Sequence, residues 1–304
     1  MRRKWLVAAI VVAAFAGSYA WKSVMLEHRP VSRRNDGLPA RIVSLAPSIT
    51  ETLFALGAGD MVVGVTRYCN YPPSVRDKAR VGGLEDPNSE AIIALKPDLV
   101  IAFPEHEQLR ELFRRFGIRT LLVKHDTIAE ILESITAIGR QCDREQRARQ
   151  LTGDIRGRID RIRLKTNGLK RSRVMITLGR NMGTQSIKDA YIAGQGGFYH
   201  EMIEFAGGQN AYSGSIAFPI VSKEGMLRMN PEVVIDMIPE SEKKGISNAA
   251  ILAEWGYMKE IDAVKNNAVH IFNDDFAVIP GPRFILLLEK MARVIHPEAG
   301  WEAK

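Results

Sequence analysis

The sequence has few cysteines and lacks an apolar run long enough to cross a membrane comfortably. Only two of its 304 residues are cysteines, which excludes a disulfide-dense scaffold. Cys69 and Cys142 could pair in an oxidising compartment, but the sequence does not fix the distance between them, so pairing stays open. The apolar run from Trp5 to Ala20 has 16 residues, fewer than the ~20 of a membrane-spanning helix.

The common catalytic and nucleotide-binding motifs are also missing. The chain contains no G-x-S-x-G, H-E-x-x-H, Walker A or G-x-G-x-x-G element, so nucleophilic, zinc-hydrolase and nucleotide chemistry lack their minimum residues. Gly194-Gln-Gly196-Gly197 indicates a tight turn before a helix. We therefore expect a binding protein with no enzymatic activity and no intrinsic cofactor.

The N-terminus is typical of a targeting segment. Three basic residues (2–4) precede the apolar run, and Ser18 and Ala20 are the small residues that a signal peptidase needs. We predict a signal peptide at residues 1–20, with an uncleaved anchor as the alternative, then a solvated tether at 21–40. Cleavage would remove three positive charges, lowering the net charge from +7 to +4. A nucleic-acid partner is therefore not expected, and the mature protein is expected to be periplasmic or otherwise extracytoplasmic.

From Arg41 onward, short apolar runs alternate with helical patterns, which is typical of an α/β fold. The runs predicted as strands are 42–45, 62–65, 99–103, 120–123, 174–178, 190–193, 233–237 and 269–272. The segments predicted as helices in the first half are 50–56, 89–96, 107–116 and 127–139. The pattern predicts two α/β lobes, residues 41–142 and 168–304, with a ligand cleft between them at the carboxyl ends of the strands.

The two predicted lobes contain an internal duplication. Residues 90–101 align without a gap on residues 224–235, and Glu, Pro and Ile recur at identical offsets. In each copy a helix ends before a proline, and an acidic residue then leads into a buried strand. We interpret this as a pseudo-symmetric pair of lobes.

The segment between the lobes is predicted to be one long amphipathic helix, residues 143–167. Residues 143–165 carry twelve charges, eight of them basic. One apolar stripe runs along this segment, formed by Ala148, Leu151, Ile155, Ile159 and Ile162. A charged connector packed by one face is the favoured interpretation, and a helix for nucleic acid or a membrane surface is the alternative.

Motifs in both halves resemble the cobalamin, haem and iron-siderophore binding proteins of ABC importers. In the first half these are RIVSLAPSITE (41–51), GVTRYCNYPP (64–73) and ALKPDLV (94–100). In the second half they are YIAGQGGFY (191–199), FAGGQNA (205–211), FPIVSKE (218–224) and PGPR (280–283). The resemblance covers residues 41 to 297 in order.

This resemblance implies two lobes bridged by a rigid helix and delivery of the ligand to a two-fold permease with its ATPase. The family places glutamates at the positions of Glu90 and Glu224, where they meet permease arginines, and matching register on two lobes suits a two-fold partner. Either glutamate could instead be a helix cap. We expect a monomer whose contact with the membrane is made only through the permease or an uncleaved anchor.

The resemblance also indicates ligand-binding residues. Tyr68 stands where cobalamin-binding members place an aromatic ring, and Phe218 is at another such position. Leu84 takes the place of a tryptophan of those members. Asp275 and Phe276 match a polar and an aromatic contact, while Ile279 replaces an arginine often found in the family. Phe218 and Phe276 could equally belong to the core.

Two further residues are candidates because each follows a predicted strand. His106 could bind iron, cobalt or zinc through its imidazole, or begin a solvated helix. Arg180 could meet a carboxylate or phosphate of the ligand, or merely be exposed. We predict a receptor for a corrinoid of the vitamin B12 type. A ferric-siderophore or haem receptor of the same fold is the first alternative, and a free zinc or manganese receptor is the second.

Overall fold

The computed structural model describes residues 37–182, 187–239, 241 and 245–301. The predicted signal peptide and nearly all of the predicted tether lie outside the described residues. No helix within these ranges is long and apolar enough to cross a membrane. The part of the chain from Arg41 onward is one compact unit that contains two β-sheets.

The first lobe is built on a five-stranded parallel sheet in the order β3-β2-β1-β4-β5. Its strands are β1 (Ile42–Ser44), β2 (Val62–Val65), β3 (Ala79–Arg80), β4 (Leu99–Ala102) and β5 (Arg119–Leu122). Its helices are α1 (Pro47–Ala55), α2 (Ser89–Ala94), α3 (Glu107–Arg115) and α4 (Ile128–Gln141). β1 and β4 are wholly buried, as apolar strands covered by helices on both faces should be.

The second lobe contains a six-stranded mixed sheet in the order β11-β10-β6-β7-β9, with β8 also paired to β6. Its strands are β6 (Arg173–Gly179), β7 (Asp189–Ile192), β8 (Gln209–Asn210), β9 (Ile220–Ser222), β10 (Val233–Met237) and β11 (Val269–Phe272). Its helices are α6 (Gly197–Phe205), α7 (Lys223–Met229), α8 (Asn248–Trp255), α9 (Asp262–Lys265) and α10 (Phe284–Ile295). β7 is antiparallel to its two neighbours.

The predicted α/β architecture is confirmed, and each of the eight predicted strands is present to within one residue at either end. The sequence did not predict β3, β8 and β9, which have two or three residues each. Strands this short carry no measurable apolar period, so their pairing depends on the neighbouring strand.

The duplication extends to individual hydrogen bonds. Asp98 accepts the backbone N–H of Arg41 at 3.0 Å, and Glu232 accepts that of Arg173 at 2.9 Å. Each acidic residue therefore ties the chain that enters β4 or β10 to the start of β1 or β6. The residues before the two repeated prolines, Lys96 and Asn230, have φ of 48° and 41°. The two copies share a local conformation that reverses the chain between helix and strand.

The long connector is α5 (Glu145–Thr166), which packs against α4, α6 and α10. Four residues of its predicted apolar stripe are buried, and Leu151 is partly buried. Arg158 of α5 donates two hydrogen bonds to Glu289 of α10, at 2.8 and 2.9 Å. This helix is a packed spine shared by the two lobes.

The two cysteines are not paired. Cys69 and Cys142 are both buried and both thiols are free. The Cys69 sulfur lies 3.1 Å from the hydroxyls of Thr50 and Thr66, which hold it inside the first lobe. The disulfide that the sequence left open is therefore absent from this fold.

Candidate ligand-binding cleft

A cavity of about 560 Å³ lies between the two lobes, at the loops that follow their strands. This volume is within the range of about 300–1,000 Å³ that is usual for small-molecule sites. Ligands of open α/β sheets bind outside the carboxyl ends of the strands, because the helix N-termini and loops there leave a crevice. The cavity is thus where the topology predicts a binding site.

The wall from the first lobe is formed by two stacked rings. Phe103 directly follows β4 and His125 lies three residues after β5, and these strands are hydrogen-bonded neighbours. Their ring centroids are 3.8 Å apart with an interplanar angle of 19°. The stack fixes the orientation of the imidazole. His125 Nδ1 is buried and has no hydrogen-bond partner among the described residues.

The wall from the second lobe is formed by the turn before α6 and the first residues of that helix. Gly196 and Gly197 both have φ of 75°, a conformation that glycine adopts without strain, and they bring the backbone to the cavity. Tyr199 lines the cavity and donates its hydroxyl to the carbonyl oxygen of Ala277 at 3.1 Å. Burial raises the pKa of Tyr199, so its phenol stays neutral.

The mouth of the cavity is apolar and aromatic. Phe218 lines it with 43% of its surface exposed and stacks on Tyr191 with a centroid distance of 5.9 Å. Val278, Ile279 and Leu84 complete the apolar rim. Such a surface favours a ligand with an extended apolar face.

The lining carries little charge. Asp126 is its one carboxylate, His125 its one imidazole, and no lysine or arginine belongs to the described lining. Ser48, Gln195 and Tyr199 supply the uncharged polar groups. The cavity therefore offers apolar contact and neutral hydrogen bonding.

The two lobes are joined beside the cavity by a buried ion pair. Arg283, just before α10, donates to the carboxylate of Glu51 on α1 at 2.8 and 2.6 Å. The same guanidinium donates to Asp275 at 2.8 and 3.2 Å and lies 3.8 Å from the ring centroid of Tyr71. On the other side of the cleft, Glu201 of α6 accepts the Ile128 N–H at the start of α4, at 2.6 Å.

Of the predicted ligand contacts, Leu84 and Phe218 line the cavity. Tyr68 does not, and its ring is 55% exposed on the loop after β2. Asp275 is bound to Arg283, and Phe276 packs against the core with that guanidinium 5.4 Å from its ring. The structure therefore places Tyr68, Asp275 and Phe276 outside the cavity lining.

The structure buries His106, which the sequence offers as a candidate metal or ligand contact. The side chain is buried, and its Nε2 donates to the carbonyl oxygen of Leu84 at 2.6 Å. A carbonyl oxygen only accepts, so Nε2 carries the proton of this hydrogen bond, and Nδ1 is buried without a hydrogen-bond partner among the described residues. His106 positions the Leu84 loop and offers no accessible nitrogen to a metal. The described residues also contain no group of three or more His, Cys, Asp or Glu placed to hold a metal ion.

The structure places the Arg180 side chain in the core, with 1% of its surface exposed. Its Nε donates to Asp236 at 3.0 Å and its Nη1 to Glu254. Asp236 also accepts hydrogen bonds from Thr177 and Trp255. A buried carboxylate requires a partner, and Arg180 serves that purpose.

Glu90 and Glu224 are both exposed in the first turn of their helices. The helices are capped by other residues, since Asn88 accepts the Ala91 N–H and Ser222 accepts the Gly225 N–H. Glu224 accepts the Ser222 hydroxyl at 2.9 Å, and hydrogen bonds from its own backbone and from Ser222 lower its pKa. Neither carboxylate is required as the N-cap, so both remain available to a partner.

Sequence reasoning missed Phe103, His125, Gln195 and Tyr199. Phe103 is the last residue of one predicted strand and His125 lies two residues after another, and those positions were a usable signal. Gln195 and Tyr199 line the cavity because the glycine turn brings their backbone there, and the sequence alone does not reveal the conformation of that turn.

These features, two pseudo-symmetric lobes on a packed helical spine with a cavity between them, define a two-lobed binding protein. The model of the family described as "Periplasmic binding protein" matches residues 42–275, and the chain belongs to that family. The Vitamin B12-binding protein of Vibrio cholerae is 30% identical over 254 residues, which cover 83% of this chain and 87% of that protein.

A second relative and a solved structure are also similar to this chain over most of its length. The uncharacterized ABC transporter substrate-binding lipoprotein YvrC of Bacillus subtilis is 30% identical over 269 residues, 86% of this chain and 81% of that protein. The crystal structure of the periplasmic vitamin B12 binding protein BtuF of Vibrio cholerae has 27% identity and a TM-score of 0.71. It covers 86% of this chain and 99% of that one.

Proposed function

We propose that this protein is the extracytoplasmic solute-binding component of an ABC importer and captures a metal chelate, with a corrinoid of the vitamin B12 type as the first candidate. The observation that carries the proposal is the apolar cavity of about 560 Å³ between the lobes of a chain that is 30% identical to a vitamin B12-binding protein.

The chemistry of the cavity supports a corrinoid. A corrin is a broad, mostly apolar disc with carboxamide side groups, so it needs aromatic walls and neutral hydrogen-bonding groups. Phe103 and Phe218 supply apolar faces, while Ser48 and Gln195 supply neutral polar groups. Tyr68, Asp275 and Phe276 would contact such a ligand where it extends beyond the cavity lining.

Haem and ferric siderophores are the alternatives on the same fold. The free zinc or manganese alternative is not retained, because neither the relatives nor the described residues favour a site for a bare ion. The relatives are named for binding and transport, which supports a receptor rather than an enzyme.

We propose that Glu90 and Glu224 make matching contacts to a two-fold permease dimer when the ligand is delivered. Both carboxylates are exposed, and each lies two residues after its cap. Repetition of one contact on two lobes fits a partner whose halves are identical. We also propose that the N-terminal segment exports the chain and is either cleaved or retained as an anchor.

Thermal unfolding of the purified protein with a panel of ligands tests the proposal. The panel contains cyanocobalamin, haem, ferric siderophores, zinc and manganese, each at the same excess. A ligand at a free concentration a hundredfold over its Kd adds about 2.7 kcal/mol to the free energy of unfolding and raises the midpoint of thermal unfolding by a few degrees. A rise with cyanocobalamin supports the corrinoid, and a rise with bare metal alone would contradict the chelate proposal.

A further inference from the structure

The charge of the cleft limits the kinds of chelate that it can hold. Among the described lining residues, Asp126 is the one acidic side chain, and lysine and arginine are absent. Asp126 is exposed, so its carboxylate remains hydrated. An acidic group of a ligand that entered this cavity would find a carboxylate and no cation.

Three described cations, on or next to segments that carry lining residues, are already engaged in ion pairs. Arg283 is bound to Glu51 and Asp275, with its side chain 14% exposed. Lys124, beside His125, lies 3.5 Å from Glu130. Lys290 is paired with Asp274. Redirecting any of them to a ligand would leave a carboxylate without its partner.

Ile279 also leaves the cleft without a counter-charge for an acidic ligand. It lines the cavity at the start of the loop that carries Arg283, where a cationic side chain would face the ligand. An aliphatic residue there adds apolar surface and removes a counter-charge. Transfer of an ionised carboxylate into an apolar site without a partner is unfavourable, because the lost hydration is not replaced.

We infer that the cleft selects metal chelates whose side groups are neutral or cationic and discriminates against chelates that carry ionised acid groups. This inference rests on the proposed function and makes it more specific. It admits corrinoids with carboxamide side groups and hydroxamate chelates of low charge. It disfavours tetrapyrroles with free propionates and anionic catecholate chelates.

Pairs of ligands that differ only in charge test the inference on the full-length protein. One pair is cyanocobalamin and its monocarboxylate, in which one amide is hydrolysed. The other is haemin and its dimethyl ester, compared in one detergent buffer at low salt. In each pair that binds, the neutral member is expected to bind at least tenfold more tightly.

Substitutions in the lining then move the preference in a stated direction. Ile279→Arg should narrow or reverse the ratio of affinities by tenfold or more, and Val278→Arg provides a second cation at the rim should the first variant fail to fold. Ile279→Gln is the matched control, of similar length but uncharged, and should leave the ratio unchanged. Asp126→Asn should raise the affinity of the acidic members alone.

The outcomes distinguish failure of the charge selection from failure of the receptor function. Acidic members that bind as tightly as their neutral partners, in wild type and variants, overturn the charge selection and leave the receptor function intact. A ratio that changes equally in Ile279→Gln and Ile279→Arg also overturns it, because size and not charge would be responsible. Failure of every chelate of either charge to bind overturns both the selection and the proposed function.

Discussion

The carboxylate of Glu51 in the first lobe and the guanidinium of Arg283 in the second form a bidentate ion pair, with N–O distances of 2.8 and 2.6 Å. Glu51 is 3% exposed, and burial raises its pKa while the Arg283 charge opposes that rise. The two residues are 232 positions apart in sequence, and their ion pair ties α1 to the loop that precedes α10. It therefore sets how the two halves of the binding site face each other.

Arg283→Met is expected to destabilise the protein by about 3–5 kcal/mol, because Glu51 would remain buried without its partner. Equilibrium denaturant unfolding measures the loss. Arg67→Met is the matched control, since the Arg67–Asp86 pair is 51% and 71% exposed and should contribute less than about 1 kcal/mol. Equal losses of unfolding free energy in the two variants would show that the inter-lobe ion pair contributes no more than an exposed one.

Charge reversal of Glu90 and Glu224 together should abolish uptake while leaving ligand affinity unchanged, because both residues are exposed and neither belongs to the cavity lining. Uptake by cells or by proteoliposomes that contain the permease gives the first quantity, and calorimetry gives the second.

The control for the docking pair reverses Glu133 and Glu260, two exposed glutamates with the same change of net charge. This control should transport normally. Loss of affinity in the Glu90/Glu224 variant would instead place those residues at the ligand, and normal uptake would end the docking proposal.

Arg180→Met is expected to cost about 3–5 kcal/mol of stability, since it leaves the buried Asp236 without its cation. Combining it with Asp236→Asn should recover part of the loss, because the uncompensated charge is then removed. Ligand affinity of the folded fraction should not change. A folded Arg180→Met protein with normal stability but weak binding would return this residue to the ligand site.

The buried Cys142 gives a prediction for alkaline pH. Burial raises the pKa of its thiol from 9.0 to about 11. Between these values the unfolded state loses the proton and the native state keeps it, so stability from this group is full below pH 9 and falls by roughly 1 kcal/mol per pH unit above it. Denaturant unfolding from pH 8 to 10.5 measures the slope, and Cys142→Ala should reduce it by the contribution of this thiol.

Both thiols should also resist labelling in the native state at pH 8 and react fully in denaturant, because the thiolate is the reactive form and both sulfurs are buried. Rapid native labelling of either cysteine, or an unchanged slope in Cys142→Ala, would contradict the burial described here.

The architecture was predictable because its signals are local. Apolar runs such as 99–103 and 233–237 are buried on both faces, and that requirement is written in consecutive residues. The duplication was visible for the same reason, since Pro97 and Pro231 end helices in matching register. The two-residue strands β3 and β8 carry no such signal, and their pairing is set by the strand beside them.

The site was only partly predictable, because side-chain direction depends on tertiary contacts. His106 and His125 both follow strands, yet one turns inward to the Leu84 carbonyl and the other lines the cavity. Arg180 follows β6 but is drawn into the core by Asp236, a carboxylate 56 residues away in sequence. Position after a strand identifies the neighbourhood of a site, and the partner groups decide which side chains reach the ligand.

The most direct measurement is isothermal titration of the purified protein with cyanocobalamin, comparing wild type with Phe218→Ala and Phe116→Ala. The two phenylalanines are 43% and 57% exposed, but only Phe218 lines the cavity. We expect one saturable site, weakened about tenfold by Phe218→Ala and unaffected by Phe116→Ala. Equal losses in the two variants, or no heat with this or any other metal chelate, would contradict a chelate receptor whose site is the inter-lobe cleft.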